Sequence, residues 1–144
     1  MATTVLTGTS GALYYKPAGT TASFAPADVT TATAVLSVGS YFNFKVGDPV
    51  KFRVINQAGG TATGTLPSGI TAGTVYYVIG YTASTGALTV SATLGGSVIT
   101  ITTQGTAVSP NKFEVYYSDF AVVGQVRDWT FDITRAEIDV TTIG

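Results

Sequence analysis

The chain has 144 residues, enough for one domain of ordinary size or one domain with a large insertion, and enough to bury roughly 68–70% of its unfolded surface. It contains no cysteine and no histidine, which excludes disulfides, thiolate nucleophiles, most zinc and copper sites and the usual neutral-pH proton shuttle. Seven Lys and Arg against eight Asp and Glu leave a net charge of −1 and no basic face for nucleic-acid phosphates.

Charged residues make up only 10% of the chain, where a soluble domain usually carries about 25%, so neutral and apolar surface is exposed that tends to associate. Mean hydropathy is +0.36, yet no apolar run approaches the roughly 20 residues of a membrane-spanning helix. The start, Met1-Ala2-Thr3-Thr4, has neither a basic region nor an apolar one, and a signal peptide is not expected.

Charge is unevenly placed. Residues 1–44 carry only Lys16 and Asp28; Lys45, Asp48, Lys51 and Arg53 follow closely; residues 54–111 carry none; the other nine charges lie in 112–144.

In chain order, Ala12-Leu13-Tyr14-Tyr15 is a strand, Pro17-Ala18-Gly19 a turn, and Pro26-Ala27-Asp28 a loop or a single helical turn. Phe42–Val46 and Val50–Val54 both alternate about Gly47-Asp48-Pro49 and predict a hairpin. The uncharged stretch is rich in aromatic and β-branched residues, which predicts strands at Val75–Ile79, Leu88–Val90 and Val98–Ile101 rather than disorder. Turn residues bound each of these: Pro67-Ser68-Gly69, Ala72-Gly73, Ser84-Thr85-Gly86, Gly95-Gly96 and Gln104-Gly105. Gly95-Gly96 suits a two-residue hairpin whose central positions both need positive φ.

Near the C-terminus Asp128–Thr134 alternates without a break, putting Trp129, Phe131 and Ile133 on the core face. Glu137–Thr141 alternates again with Ile138 and Val140 inward. Asp128, Asp132, Glu137 and Asp139 then occupy wet faces with only Arg127 and Arg135 nearby. No helical period persists over eleven or more residues, so the fold class is all-β, an antiparallel barrel or sandwich.

Little catalytic chemistry is offered. Glu114, Asp132, Glu137 and Asp139 are the carboxylates a glycoside hydrolase would need, but three of them sit on regular alternating strands, where a charge facing solvent is the expected pattern, and the sequence announces no pocket for them. No Asp-rich calcium loop occurs, and Gly59-Gly60-Thr61-Ala62-Thr63-Gly64 is followed by no Lys-Ser or Lys-Thr and by no helix. The reading is a non-enzyme with no catalytic residues, no metal site and no cofactor. The pairs Tyr14-Tyr15, Tyr76-Tyr77 and Tyr116-Tyr117 each point one ring inward and one outward, and outward rings stack a sugar or anchor a subunit interface. Tyr15, Tyr77 and Tyr117, with Arg127 and Arg135, are the inter-subunit candidates.

The segment Val123–Gly144 resembles the early strand pair of bacteriophage major tail (tail tube) proteins, and the opening Gly8–Thr20 looks like the start of such proteins. Thr65–Ile79, followed by Leu88–Thr93 and Gly95-Gly96, is similar to a β module recurring in phage virion proteins. The resemblance implies a barrel or sandwich whose copies form hexameric rings, stacked into a tube that conducts DNA without binding it specifically.

Residues 1–35 with 111–144 are then expected to form the tail-tube-like core, and 36–110 an inserted uncharged β module. Asp128, Asp132, Glu137 and Asp139 become candidates to face the lumen and repel the DNA backbone. Tail tube proteins continue past the Asp-Val-Thr strand, so either a neighbouring subunit completes the barrel or the protein is a different virion part. Partners are further copies and other virion proteins, with no membrane, in a virion assembled in the bacterial cytoplasm. A capsid decoration or cement protein is the alternative, and a monomeric carbohydrate-binding β module the next.

Overall fold

The computed structural model describes residues 5–8, 11–15, 21–118, 121–126 and 129–132, with side chains described over 21–118. The fold is all-β, and apart from one turn of 3₁₀ helix at Pro26–Asp28 every regular element described is a strand. Two compact units form, Met1–Pro17 with Phe120–Gly144, and Ala18–Asp119.

The first unit holds two antiparallel ribbons. In one, β1 (Val5–Gly8) pairs with β11 (Trp129–Asp132), setting Leu6 opposite Phe131 and Gly8 opposite Trp129. In the other, β2 (Gly11–Tyr15) pairs with β10 (Ala121–Val126), with a register shift between Val122 and Gly124. The strands expected at Ala12–Tyr15 and around Trp129 and Phe131 are present. The expected strand Glu137–Thr141 lies outside the described residues.

The second unit is one seven-stranded sheet in the order β3-β9-β6-β7-β8-β5-β4. Its strands are β3 (Thr21–Phe24), β4 (Val29–Thr30), β5 (Val35–Ser37), β6 (Pro49–Asn56), β7 (Tyr76–Thr82), β8 (Ala87–Ser91) and β9 (Asn111–Tyr117). The two edge strands, β3 and β4, are separated along the chain only by Ala25–Asp28. Such a link spans at most about 17 Å, whereas the edges of a flat seven-stranded sheet stand about 29 Å apart. The sheet must therefore curl strongly, and it does so without closing into a hydrogen-bonded barrel.

Curling gathers the inward side chains into one core. Phe24, Phe52 and Phe113 are fully buried, with ring centroids 6.3 Å apart for Phe24–Phe52 and 5.4 Å for Phe24–Phe113, both edge-to-face. Around them lie Val50, Val78, Leu88, Val90, Leu36 and Val115, all inaccessible to solvent or nearly so. Leu66, Ile70 and Ile101 join this core from irregular segments, and Gln104 Nε2 donates to the Val29 carbonyl at 2.7 Å on the edge strand.

The pairing overrides the expected division at 35/36 and 110/111. β6 pairs with β9 along its whole length, from Val50–Tyr117 to Asn56–Asn111, and β9 pairs in turn with β3. Residues 21–35 and 111–117 thus share a sheet with the uncharged segment, because their alternating apolar residues complete its core.

Several local expectations are corrected. Phe42–Val46 is not a hairpin arm. The Asp48 carboxylate accepts from the Lys45 N–H at 2.9 Å and folds Lys45–Asp48 into a turn, while Phe42 and Phe44 turn their rings into an aromatic cluster with Tyr81 and Tyr117. Val98–Ile101 contributes a single bridge, Ser91–Val98, instead of a strand. The turn before it is Thr93–Gly96, closed by Gly96 N–H to the Thr93 carbonyl, with positive φ at Gly95 alone. Tyr117 is not an outward ring, since it shares the inward parity of Phe113 and Val115. Its ring lies 5.4 Å from Phe44, and its hydroxyl donates to the Asn43 carbonyl.

A bulge in β7 decides where Tyr81 goes. Val78 opposes Val90 but Gly80 opposes Thr89, so Ile79 is an extra residue and the facing parity shifts beyond it. Tyr81, which unbroken alternation would turn outward, instead opposes Leu88 and packs edge-on against Phe44 at 5.4 Å. Its hydroxyl donates to the Gly39 carbonyl at 2.6 Å and accepts from the Phe42 N–H at 3.0 Å, pinning the 38–44 loop. Tyr81→Phe is expected to cost about 1 kcal/mol, because water replaces part of what the hydroxyl satisfied. Tyr81→Ala, which also empties the ring site, is expected to cost about 3 kcal/mol or more by equilibrium urea denaturation.

Candidate functional site

Three surfaces of the second unit hold its conspicuous side chains. On the outer face of β3, β9 and β6, Arg53 stands opposite Glu114 in the register, and its Nε donates to Glu114 Oε1 at 2.7 Å. The Arg53 guanidinium carbon lies 4.6 Å from the Tyr116 ring centroid. Glu114 is thus an ion-paired strand residue, nearly buried beneath its partner, and Tyr116 is the outward ring of its pair. The Arg53 side chain is 52% exposed, which limits the pair to a small contribution. Arg53→Ala is expected to cost about 0.5–1 kcal/mol, and less at high salt, when denaturation is followed at two ionic strengths.

The second surface is apolar. Pro49, Tyr77, Ser91 and Val98 form one row across neighbouring strands, so their side chains share a face. Tyr77 is half-buried there, and Val46, Leu94 and Val98 are exposed large hydrophobics. The Leu94 side chain lies close beside Gly47.

The third surface is the tip formed by residues 38–44 and 82–86. The Val38 N–H donates to the Gly86 carbonyl and the Tyr41 N–H to the Ala83 carbonyl, both at 2.9 Å, and Ser40 Oγ donates to the Ser84 carbonyl. Gly86 has φ +75°, and a Cβ there would stand 2.5 Å from the Gly39 backbone, so only glycine allows the two loops to approach this closely. Tyr41 is held at φ +61°, a left-handed conformation that costs a non-glycine residue roughly 1–2 kcal/mol. Its side chain is 81% exposed.

The residues expected from sequence fall unevenly on these surfaces. Tyr77 lies on the apolar outer row, and Tyr117 faces inward. Tyr15, Trp129, Phe131 and Asp132 lie on described strands, with side chains outside the described set. Arg127, Asp128, Ile133, Arg135, Glu137, Ile138, Asp139 and Val140 lie outside the described residues.

Tyr41, Val46 and Leu94 were not singled out by sequence reasoning, because Tyr41 and Val46 bound an alternating run and Leu94 adjoins a strand. Only the turn residues beside them, Gly39-Ser40, Gly47 and Gly95-Gly96, signal protruding loops. Among the described residues no three His, Cys, Asp or Glu come together as a metal site, and no helix is long and apolar enough to cross a membrane.

Comparison with known protein families, with curated proteins and with solved structures gives no match.

Strain at an exposed position is testable. Tyr41→Gly removes little buried area and relieves the left-handed backbone, so stability is expected to hold or to rise by up to about 1 kcal/mol. Phe44→Ala, buried a few residues away, is expected to lose about 3–5 kcal/mol in the same denaturation series.

Proposed function

We propose that the chain is a non-enzymatic structural subunit of a bacteriophage virion, a tail tube protein whose copies form stacked hexameric rings that conduct DNA. The observation that carries this reading is the lack of ionic surface. Residues 54–111 carry no charge, Val98 lies in the same cross-strand row as Tyr77, and Val46, Leu94 and Val98 are exposed large hydrophobics. A face of this kind is stabilised when a sibling subunit covers it.

The resemblance of Gly8–Thr20 and Val123–Gly144 to tail tube proteins supplies the ring and the tube. It also assigns Asp128, Asp132, Glu137 and Asp139 to a lumen where carboxylates would repel the DNA backbone. Tyr15, Tyr77, Arg127 and Arg135 remain the proposed contacts between subunits, and other virion proteins the proposed partners at the ends of the tube.

Negative-stain microscopy of the purified chain tests the proposal. Uniform rings or tubes are expected, and because the contacts are mostly uncharged they should persist when salt is raised well above physiological strength. Compact trimers that attach only to capsids would transfer the protein to the decoration class. A monodisperse monomer at high concentration would remove both assemblies.

A further inference from the structure

We infer that the tip carrying Tyr41 is a stacking platform for a neutral glycan. Tyr41 stands 81% exposed in a backbone conformation that costs energy, and the fold maintains it from three sides. Its own N–H is bonded to Ala83, the Gly39 carbonyl before it is held by the Tyr81 hydroxyl, and the Phe42 N–H after it is bonded to that same oxygen. Backbone strain that its surroundings maintain in this way is characteristic of residues that meet a ligand.

The surroundings define the ligand. Ser40, Asn43, Thr82, Ser84 and Thr85 are the exposed polar side chains of the two loops, and they offer hydroxyl and amide groups but no charge. A pyranose presents one face of C–H bonds, which lies on an aromatic ring, and a rim of hydroxyls that both donate and accept hydrogen bonds. A protein interface of stable size needs about 800 Å² per partner with a cluster of large anchors, whereas this tip exposes one large ring among small side chains. One or two sugar rings match its scale, and the absence of charge selects neutral sugars over acidic ones. The inference is independent of tube assembly, since a single copy carries the complete tip.

Titration of the chain with maltohexaose, cellohexaose and a neutral galactan oligomer, read by NMR on the tyrosine ring signals and by calorimetry, tests it. Saturable binding of at least one oligomer in the millimolar range is expected, with the Tyr41 ring signals shifting. Tyr41→Ala should weaken that binding at least about tenfold and Tyr41→Phe should retain it, while Tyr41→Trp, with a larger ring, should tighten it. Tyr81→Phe, which releases the loop while leaving Tyr41 in place, should weaken it less than Tyr41→Ala does. Failure of all three oligomers to bind saturably would overturn the inference. So would equal binding by folded Tyr41→Ala, or a result in which Tyr41 is needed for association between copies and not for any sugar.

Discussion

Much of the second unit follows from the short link between its edge strands. Ala25–Asp28 joins β3 to β4 through a single compact 3₁₀ turn, and the Asp28 carboxylate closes that link by accepting from the Ala25 N–H at 2.8 Å. Seven strands ordered between two edges so tethered cannot lie flat. They must wrap around whatever fills the concave side, and that is the Phe24–Phe52–Phe113 cluster with its aliphatic surround. Phe24 is the last residue of one edge strand and Val29 the first of the other, and both are buried, so the link and the core constrain the same closure.

The bulge at Ile79 links this core to the exposed tip. One extra residue in β7 reverses the side-chain parity, and Tyr81 packs, half-buried, against the core with its hydroxyl reaching the far loop. The strained Tyr41 backbone is affordable because the Tyr81 ring is fixed by Phe44, which is itself buried. Packing energy from the interior thereby maintains a conformation at the surface that local preferences alone would abandon.

How much of this was legible in the sequence depended on whether a residue's neighbours lay along the chain or across the sheet. Val50–Val54 and Leu88–Val90 were readable because period-two alternation on a half-buried strand is a local property. Phe42–Val46 alternates equally well and is not a strand, because Asp48 bends the chain back on Lys45, the Phe44 ring packs against Tyr81 and Tyr117, and the Phe42 ring packs against Phe44. The inward turn of Tyr81 was invisible, since a bulge is defined by the partner strand. Tyr117 was assigned outward from the Tyr-Tyr pair alone, and its parity became clear only from β9 as a whole, where Phe113 and Val115 fix the inner face. The boundary at 35/36 followed the charge pattern, but charge reports on solvent while strand pairing reports on apolar periodicity, and here the two do not coincide.

Of the few charges the described part of the second unit has, several are committed within the chain. Asp28 closes a turn, Asp48 closes another while buried, and Glu114 holds Arg53. These carboxylates shape the backbone and the sheet face more than they hydrate the molecule, so the surface around the uncharged segment meets water chiefly through hydroxyl and backbone groups. Affinity for a polyanion comes mainly from counterions released by Lys and Arg, and such a surface releases few. Whatever it recognises must therefore be held by shape, apolar contact and neutral hydrogen bonds. The sibling subunit proposed for the Tyr77 row and the sugar proposed for Tyr41 both meet that requirement.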